Sequence, residues 1–359
     1  MTMLEILQKA REEGASDIHI IAGRAPVYRI KGKIESFSEE RLMPDNVKEL
    51  IYSILNEEQR AKFEMDKELD FSFGIKGMGR YRANIHYQRG TIAAALRSIN
   101  TEIPTIEELN LPETLNKFCE LKNGIVLVTG PTGSGKSTTL AAMINKINKE
   151  QKSHIITIED PIEYLHRHQN SIIEQREVGT DTDSFSRALK YALRQDPDVI
   201  LIGELRDLET IEAALTAAET GHLVFATLHT RDAASTIDRI VDVFSHDQQQ
   251  QIRLQLSNSL KGVISQQLIP KKDNSGMALA YELLVGTPAI ANLIREAKTH
   301  QIYSMLETGK KYGMRTMESI LRDLVSRNII DETEMIKRLR DGSFLNSKSM
   351  SSGGWNNFY

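Results

Sequence analysis

At 359 residues the chain is long enough to bury two separate cores, and 40% hydrophobic with 26% charged residues is the composition of an ordinary globular protein. A net charge of −4 argues against a broad footprint on nucleic acid and leaves room only for local basic patches. Cys119 is the sole cysteine, which excludes an internal disulfide and any C-x-x-C zinc site and fits a reducing compartment.

The opening residues, Met1 to Leu7, lack the cationic start and apolar core of a signal peptide, and no apolar run approaches the ~20 residues of a membrane span. The expectation is a cytosolic protein that reaches a membrane only through a partner. Residues 1–99 read as a small α+β unit. Val47, Leu50, Ile51, Ile54 and Leu55 form a helical stripe. Strands follow: Leu69, Phe71 and Phe73 alternate with polar residues, and Tyr81, Ala83, Ile85 and Tyr87 alternate with Arg80, Arg82, Asn84 and His86. Period two predicts one exposed face for those last four. Thr91 to Ile99 is a nearly apolar strand broken by Arg97, a cation that requires either a local ion pair or an anionic site. Asn100 to Pro104 and Pro112 mark a linker over 100–113.

From 114 to about 342 strand and helix alternate, which predicts a mainly parallel sheet with helices on its faces. The segment 130–138 reads G-P-T-G-S-G-K-S-T and fits a phosphate-binding loop. Glycines let successive N–H groups point inward at phosphate oxygens, so Gly130, Pro131, Thr132, Gly133, Ser134, Gly135, Lys136, Ser137 and Thr138 are the nucleotide-binding candidates. Lys136 supplies a cation for the β- and γ-phosphates, and the Ser137 hydroxyl is placed for Mg²⁺. The context agrees, because an apolar strand 124–129 precedes the loop and a stripe of Leu140, Met143, Ile144 and Ile147 follows it.

Hydrolysis also needs a metal carboxylate and a group to place water. Two apolar strands run into acids, one into Glu159, Asp160 and Glu163 and one into Glu204, where ligands bind in open α/β sheets. Glu204 reads as the metal carboxylate and Glu163 as the residue that polarises water; sequence alone leaves the two roles exchangeable. His222 and His229 bracket a further strand and are candidates to sense the γ-phosphate. A helix over 183–195 carries Arg187, Lys190 and Arg194 away from its core face, either solvated or at a subunit contact. Residues 343–359, rich in Ser, Asn and Gly, read as a disordered tail.

These blocks, in this order, resemble the Walker A motif, Asp box (Glu159, Asp160), atypical Walker B and His box of the secretion-superfamily ATPases. Ala15 to Ile20 is similar to that family's A-S-D-[IL]-H-[IL] segment, and Arg82 and Arg97 fall where its members carry arginines that reach an adjacent nucleotide. Within the superfamily the likeness is to the pilus-retraction branch. The cysteines of the assembly enzymes are absent, and 289–296 is similar to the motif A-I-R-N-L-I-R-E at Ala289, Asn292, Leu293, Ile294, Arg295 and Glu296, departing at Ala291. The resemblance implies a PAS-like N-terminal domain followed by a RecA-like ATPase domain, ATP and Mg²⁺, and a homo-hexameric ring. It further implies domain rotation on ATP binding and hydrolysis that powers pilus retraction and twitching motility. The partners implied are an inner-membrane platform protein and an accessory retraction ATPase, without nucleic acid and without direct membrane insertion, at the inner face of the cytoplasmic membrane. The alternatives are an accessory paralogue, a pilus-assembly or type II secretion ATPase, and a nucleotide-gated scaffold without turnover.

Overall fold

The chain forms two sheets, one of six strands and one of seven. A computed structural model describes residues 1–339 apart from 31, 76–77 and 100–101. The chain divides into one unit of Met1–Glu102 with Ile162–Leu165, and a second that begins at Ile103–Pro161 and resumes at His166.

In the first unit, β1 (Asp17–Ile20), β2 (Val27–Ile30), β3 (Lys33–Glu35), β4 (Glu68–Ile75), β5 (Gly79–Gln88) and β6 (Thr91–Ser98) pair antiparallel in the order β3-β2-β1-β6-β5-β4. Helices Met3–Glu12, Pro44–Tyr52 and Glu57–Asp66 contribute Ile6, Leu7, Val47, Ile51 and Phe63 to one core with Ile18, Ile85 and Leu96 of the sheet. The first helix starts where it does because Thr2 and Glu5 cap each other's backbone N–H groups. Period two holds along β5 on its core face, where Tyr81, Ala83 and Ile85 are buried, but of the four residues expected to be exposed only Arg82 is; Arg80, Asn84 and His86 are half-buried. Tyr87 departs from the expected pattern. It is exposed, its ring stacked on Phe63 at 5.2 Å, because the strand is running out of the core there. Ile54 and Leu55 also depart, falling beyond the helix that ends at Tyr52, yet they still pack on the core.

In the second unit, the sheet order is β13-β12-β7-β11-β10-β8-β9, from β7 (Gly124–Thr129), β8 (His154–Glu159), β9 (Ile172–Glu177), β10 (Val199–Ile202), β11 (Leu223–Leu228), β12 (Leu260–Pro270) and β13 (Met277–Val285). β7 to β12 run parallel to their neighbours and β13 lies antiparallel on the edge. Every residue of β7, β10 and β11 is buried, since helices cover both faces, and this explains their unbroken apolar runs. The stretch expected as a linker is divided: Ile103 onward belongs to this unit, where Ile106 and Leu111 are buried. The helix expected over 183–195 is shorter, Phe185–Ala192, capped by Ser184, because Leu193 to Gln195 turn back onto the preceding carbonyls. Arg187, Lys190 and Arg194 are exposed, as expected, with Arg187 paired to Asp183. The predicted tail 343–359 lies outside the described residues. Among those described, no helix is long and apolar enough to cross a membrane.

Candidate nucleotide-binding site

β7 ends at Thr129 and its chain turns through the glycine loop into helix Lys136–Glu150. The loop depends on left-handed backbone at Gly130, Gly133 and Gly135, with φ of 140°, 79° and 89°. Gly130 is the most constrained, because a Cβ there would stand 2.3 Å from the Gln266 carbonyl oxygen and 2.6 Å from Ser134 Oγ. β12 thus backs the loop. Thr129 and Ser265 hydroxyls meet at 2.8 Å, and the buried Gln266 donates to Thr139 Oγ1 at 2.7 Å. Ser134 Oγ is buried with no hydrogen-bond partner among the described residues. Lys136 Nζ donates to the Gly130 and Pro131 carbonyls at 2.8 and 3.1 Å, so its ammonium spans the loop mouth. Partial burial lowers the Lys136 pKa below the usual lysine value, opposed by the charge of Glu204.

The strand order brings the acids to the same edge. β11, β10 and β8 follow β7 in turn, and their C-terminal ends deliver His229, Glu204 and Glu159-Asp160. Gly203 lets the β10 end lie against the β8 end, since a Cβ there would come within 3.2 Å of Glu159 Cα. Glu204, only 18% exposed, directs Oε2 to Arg206 at 2.8 Å and to His229 Nε2 at 3.3 Å. Burial works to raise the Glu204 pKa, but the Arg206 hydrogen bond and the nearby charges prevail and hold the carboxyl below its usual range. Arg206 also stands 3.7 Å from Asp160, linking the two acidic strand ends. Glu159 is turned inward, accepting from Thr157 at 2.6 Å and Gln175 at 3.3 Å, whereas Asp160 is exposed.

The two histidines do not share an end of the sheet. His229 follows β11 on the loop side. His222 precedes β11, where its carbonyl accepts from Gly124 N and its Nδ1 lies 3.0 Å from the Ala217 carbonyl. β11 is paired with β7 from Leu223↔Gly124 to Leu228↔Thr129, so His222 stands a full strand, roughly 20 Å, from this chain's phosphate loop. That distance corrects its assignment as a sensor of the γ-phosphate bound here. Glu163 is exposed and falls in Ile162–Leu165, grouped with the first unit. Arg82 and Arg97 are exposed on that unit's sheet, directly opposite each other on β5 and β6. Ala289 to Arg295 lie on helix Pro288–Arg295, capped by Thr287; Ile290 and Ile294 are buried, and Asn292, Arg295 and Glu296 are exposed and bonded to one another.

Sequence reasoning passed over Arg206, although it stands two residues beyond Glu204. It also passed over Ser265, Gln266 and Leu268, which reach the loop only through strand register. A cavity of about 780 Å³ opens beside the loop, lined by Ser134, Gly135, Thr138, Leu268, Met277 and Leu279 among others. Its size and mixed lining suit the base and ribose of a nucleotide whose phosphates sit in the loop.

A family profile described as type II/IV secretion system protein matches residues 93–341. The type IV pilus retraction ATPase PilT of Pseudomonas aeruginosa is 49% identical over 330 residues, 92% of this chain and 96% of that protein. A twitching motility protein of Neisseria gonorrhoeae is 45% identical over 98% of this chain and 92% of its own length. Among solved structures, the pilus retraction motor PilT with bound ADP superimposes with a TM-score of 0.90 at 51% identity, covering 97% of this chain and 99% of that one.

Proposed function

The chain belongs to the type II/IV secretion system family and is a P-loop ATPase, and from that premise we propose that it is a Mg²⁺-dependent motor that powers type IV pilus retraction. The observation that carries this reading is the single sheet edge on which the Lys136 loop, Glu204, His229 and Asp160 converge, in a chain so similar over its length to a retraction ATPase. Loop N–H groups and Lys136 bind the β- and γ-phosphates, and the adjoining cavity takes the base.

The donor set fits Mg²⁺: a hydroxyl on Ser137 and an ionised carboxylate on Glu204 are hard oxygens, and Glu204 Oε1 has no protein partner among the described residues. Ser137 and Glu204 would hold the ion, which when bound neutralises charge between the phosphates. His229, against Glu204, is placed to report the γ-phosphate. Glu163 polarises the attacking water, and Arg82 and Arg97 stabilise charge growing on the phosphoryl group held by a neighbouring copy. Six copies form the ring, which acts on an inner-membrane platform protein from the cytoplasmic side, with rotation between rigid bodies as the power stroke.

The test is ATP hydrolysis with Mg²⁺ on purified protein whose mass is read by light scattering, wild type beside Glu204→Gln. A hexamer-sized species whose turnover vanishes in the variant while nucleotide binding persists supports the reading. A monomer, or a ring that binds ATP without turnover, sinks it in favour of a nucleotide-gated scaffold.

A further inference from the structure

Arg97 carries its charge in an unusual setting. Its side chain is 71% exposed, yet its Nε donates at 2.8 Å to Oδ1 of Asp17, which is only 14% exposed. The two residues are directly opposite on β6 and β1, so the contact is built into strand register rather than into a loop. The same register continues sideways: Ser72, Arg82, Arg97, Asp17 and Arg29 stand in one row across β4, β5, β6, β1 and β2. One carboxylate therefore pairs with two of the three guanidinium groups in the row, those of Arg97 and Arg29. Its second oxygen is occupied by Ser16 Oγ at 2.8 Å and faces Arg29 Nε at 3.8 Å.

The mode of contact matters. A carboxylate that neutralises an arginine usually takes two parallel N–H bonds from the fork. Here Asp17 takes only Nε–H, and the two η nitrogens of Arg97 have no partner among the described residues. An aspartate on the stem fixes the guanidinium plane while the fork stays available to a planar oxyanion or a phosphate. Although partial burial works the other way, hydrogen bonds from Ser16 and Arg97 hold the Asp17 carboxyl below its usual range, so the brace is charged at neutral pH.

We propose that Asp17 is a positioning residue for the transferred phosphoryl group: it aims the Arg97 fork at the oxyanion without touching it. The inference rests on the reading of Arg97 as an arginine that acts in the transition state. Misplacing such a group by about an ångström costs on the order of 100-fold.

The experiment measures kcat and KM for ATP in the assembled full-length protein for Asp17→Ala, Asp17→Asn, Arg97→Ala and the Asp17→Ala/Arg97→Ala double variant. The expected result for Asp17→Ala is a kcat loss of roughly 10- to 100-fold with little change in KM. Asp17→Asn keeps an oxygen acceptor in the same place and should recover most of that loss. The double variant should be no worse than Arg97→Ala. An unchanged kcat in Arg97→Ala overturns the arginine's role, and the inference with it. An impaired Arg97→Ala beside a normal Asp17→Ala overturns the inference alone. Equal impairment by Asp17→Ala with and without Arg97, or an Asn variant as poor as the Ala variant, marks Asp17 as merely structural and also overturns it.

Discussion

The two units brace their reactive charges in opposite ways. In the second, Glu204 is a mostly buried anion gripped at its tip by the Arg206 guanidinium and the His229 imidazole. In the first, Arg97 is an exposed cation gripped at its stem by a mostly buried anion, Asp17. The carboxylate proposed above to serve a ligand within its own fold is kept ionised by partners at its oxygen. The arginine proposed above to act on a phosphate elsewhere is held where holding does not consume its fork. The first arrangement stabilises a charge, and the second directs one.

That contrast is broken or sharpened by substitutions on either side of it. The largest effect is expected for Lys136→Ala, which removes the cation spanning the loop and should cut turnover at least ~1,000-fold in a steady-state assay. Glu204→Gln should lose about 100- to 1,000-fold in kcat while retaining fluorescent-nucleotide binding. Arg97→Ala should lose kcat in a way that no excess of ATP restores. A variant of Arg97 that raised KM alone would place it in ground-state binding and erase the distinction between the two braces.

Folding stability separates the glycines of the loop. Gly130→Ala should cost about 2–3 kcal/mol in thermal or urea unfolding, because its Cβ collides with the β12 backbone as well as requiring positive φ. Gly133→Ala, with positive φ but open space, should cost about 1 kcal/mol. The pH profile carries a further signature. His166 is largely buried, its pKa pushed down from 6.5 to about 4 by desolvation. The unfolded chain takes up that proton near pH 6.5 and the folded ring refuses it until about 4, so stability is complete above neutrality and falls as pH drops through that window. The loss should be on the order of 2–3 kcal/mol between pH 7 and 4, and His166→Asn should flatten it. The smallest effect belongs to Arg187→Ala, whose solvent-exposed pair with Asp183 should contribute less than about 0.5 kcal/mol.

The phosphate loop was legible because its chemistry is contiguous: a strand, three glycines, a lysine and a hydroxyl occupy one short stretch. The mainly parallel sheet was legible for a related reason, since strands buried on both faces leave apolar runs such as 124–129 and 223–228. Features that depend on pairing between distant strands were not. Nothing in the sequence says that Gln266 backs Gly130, that Asp17 opposes Arg97, or that Arg206 joins Glu204 to Asp160. His222 shows the opposite error. Two histidines seven residues apart around a strand look equivalent in sequence, but a strand is a ruler, and its two ends face different chemistry. The helix ends at Tyr52 and Ala192 slipped because apolar residues just past a helix still find the core.

The central claim is that the anion of one copy and the arginine of another complete one site. Mixing tests it directly. Lys136→Ala chains and Arg97→Ala chains, each inactive alone, would be co-assembled and assayed for ATP hydrolysis. If the arginine acts across copies, an Arg97→Ala chain supplies an intact loop and a Lys136→Ala neighbour supplies an intact fork, and turnover returns in proportion to such neighbours. Mixed rings as inactive as their parents would contradict the account, because no chain in them holds both groups at once.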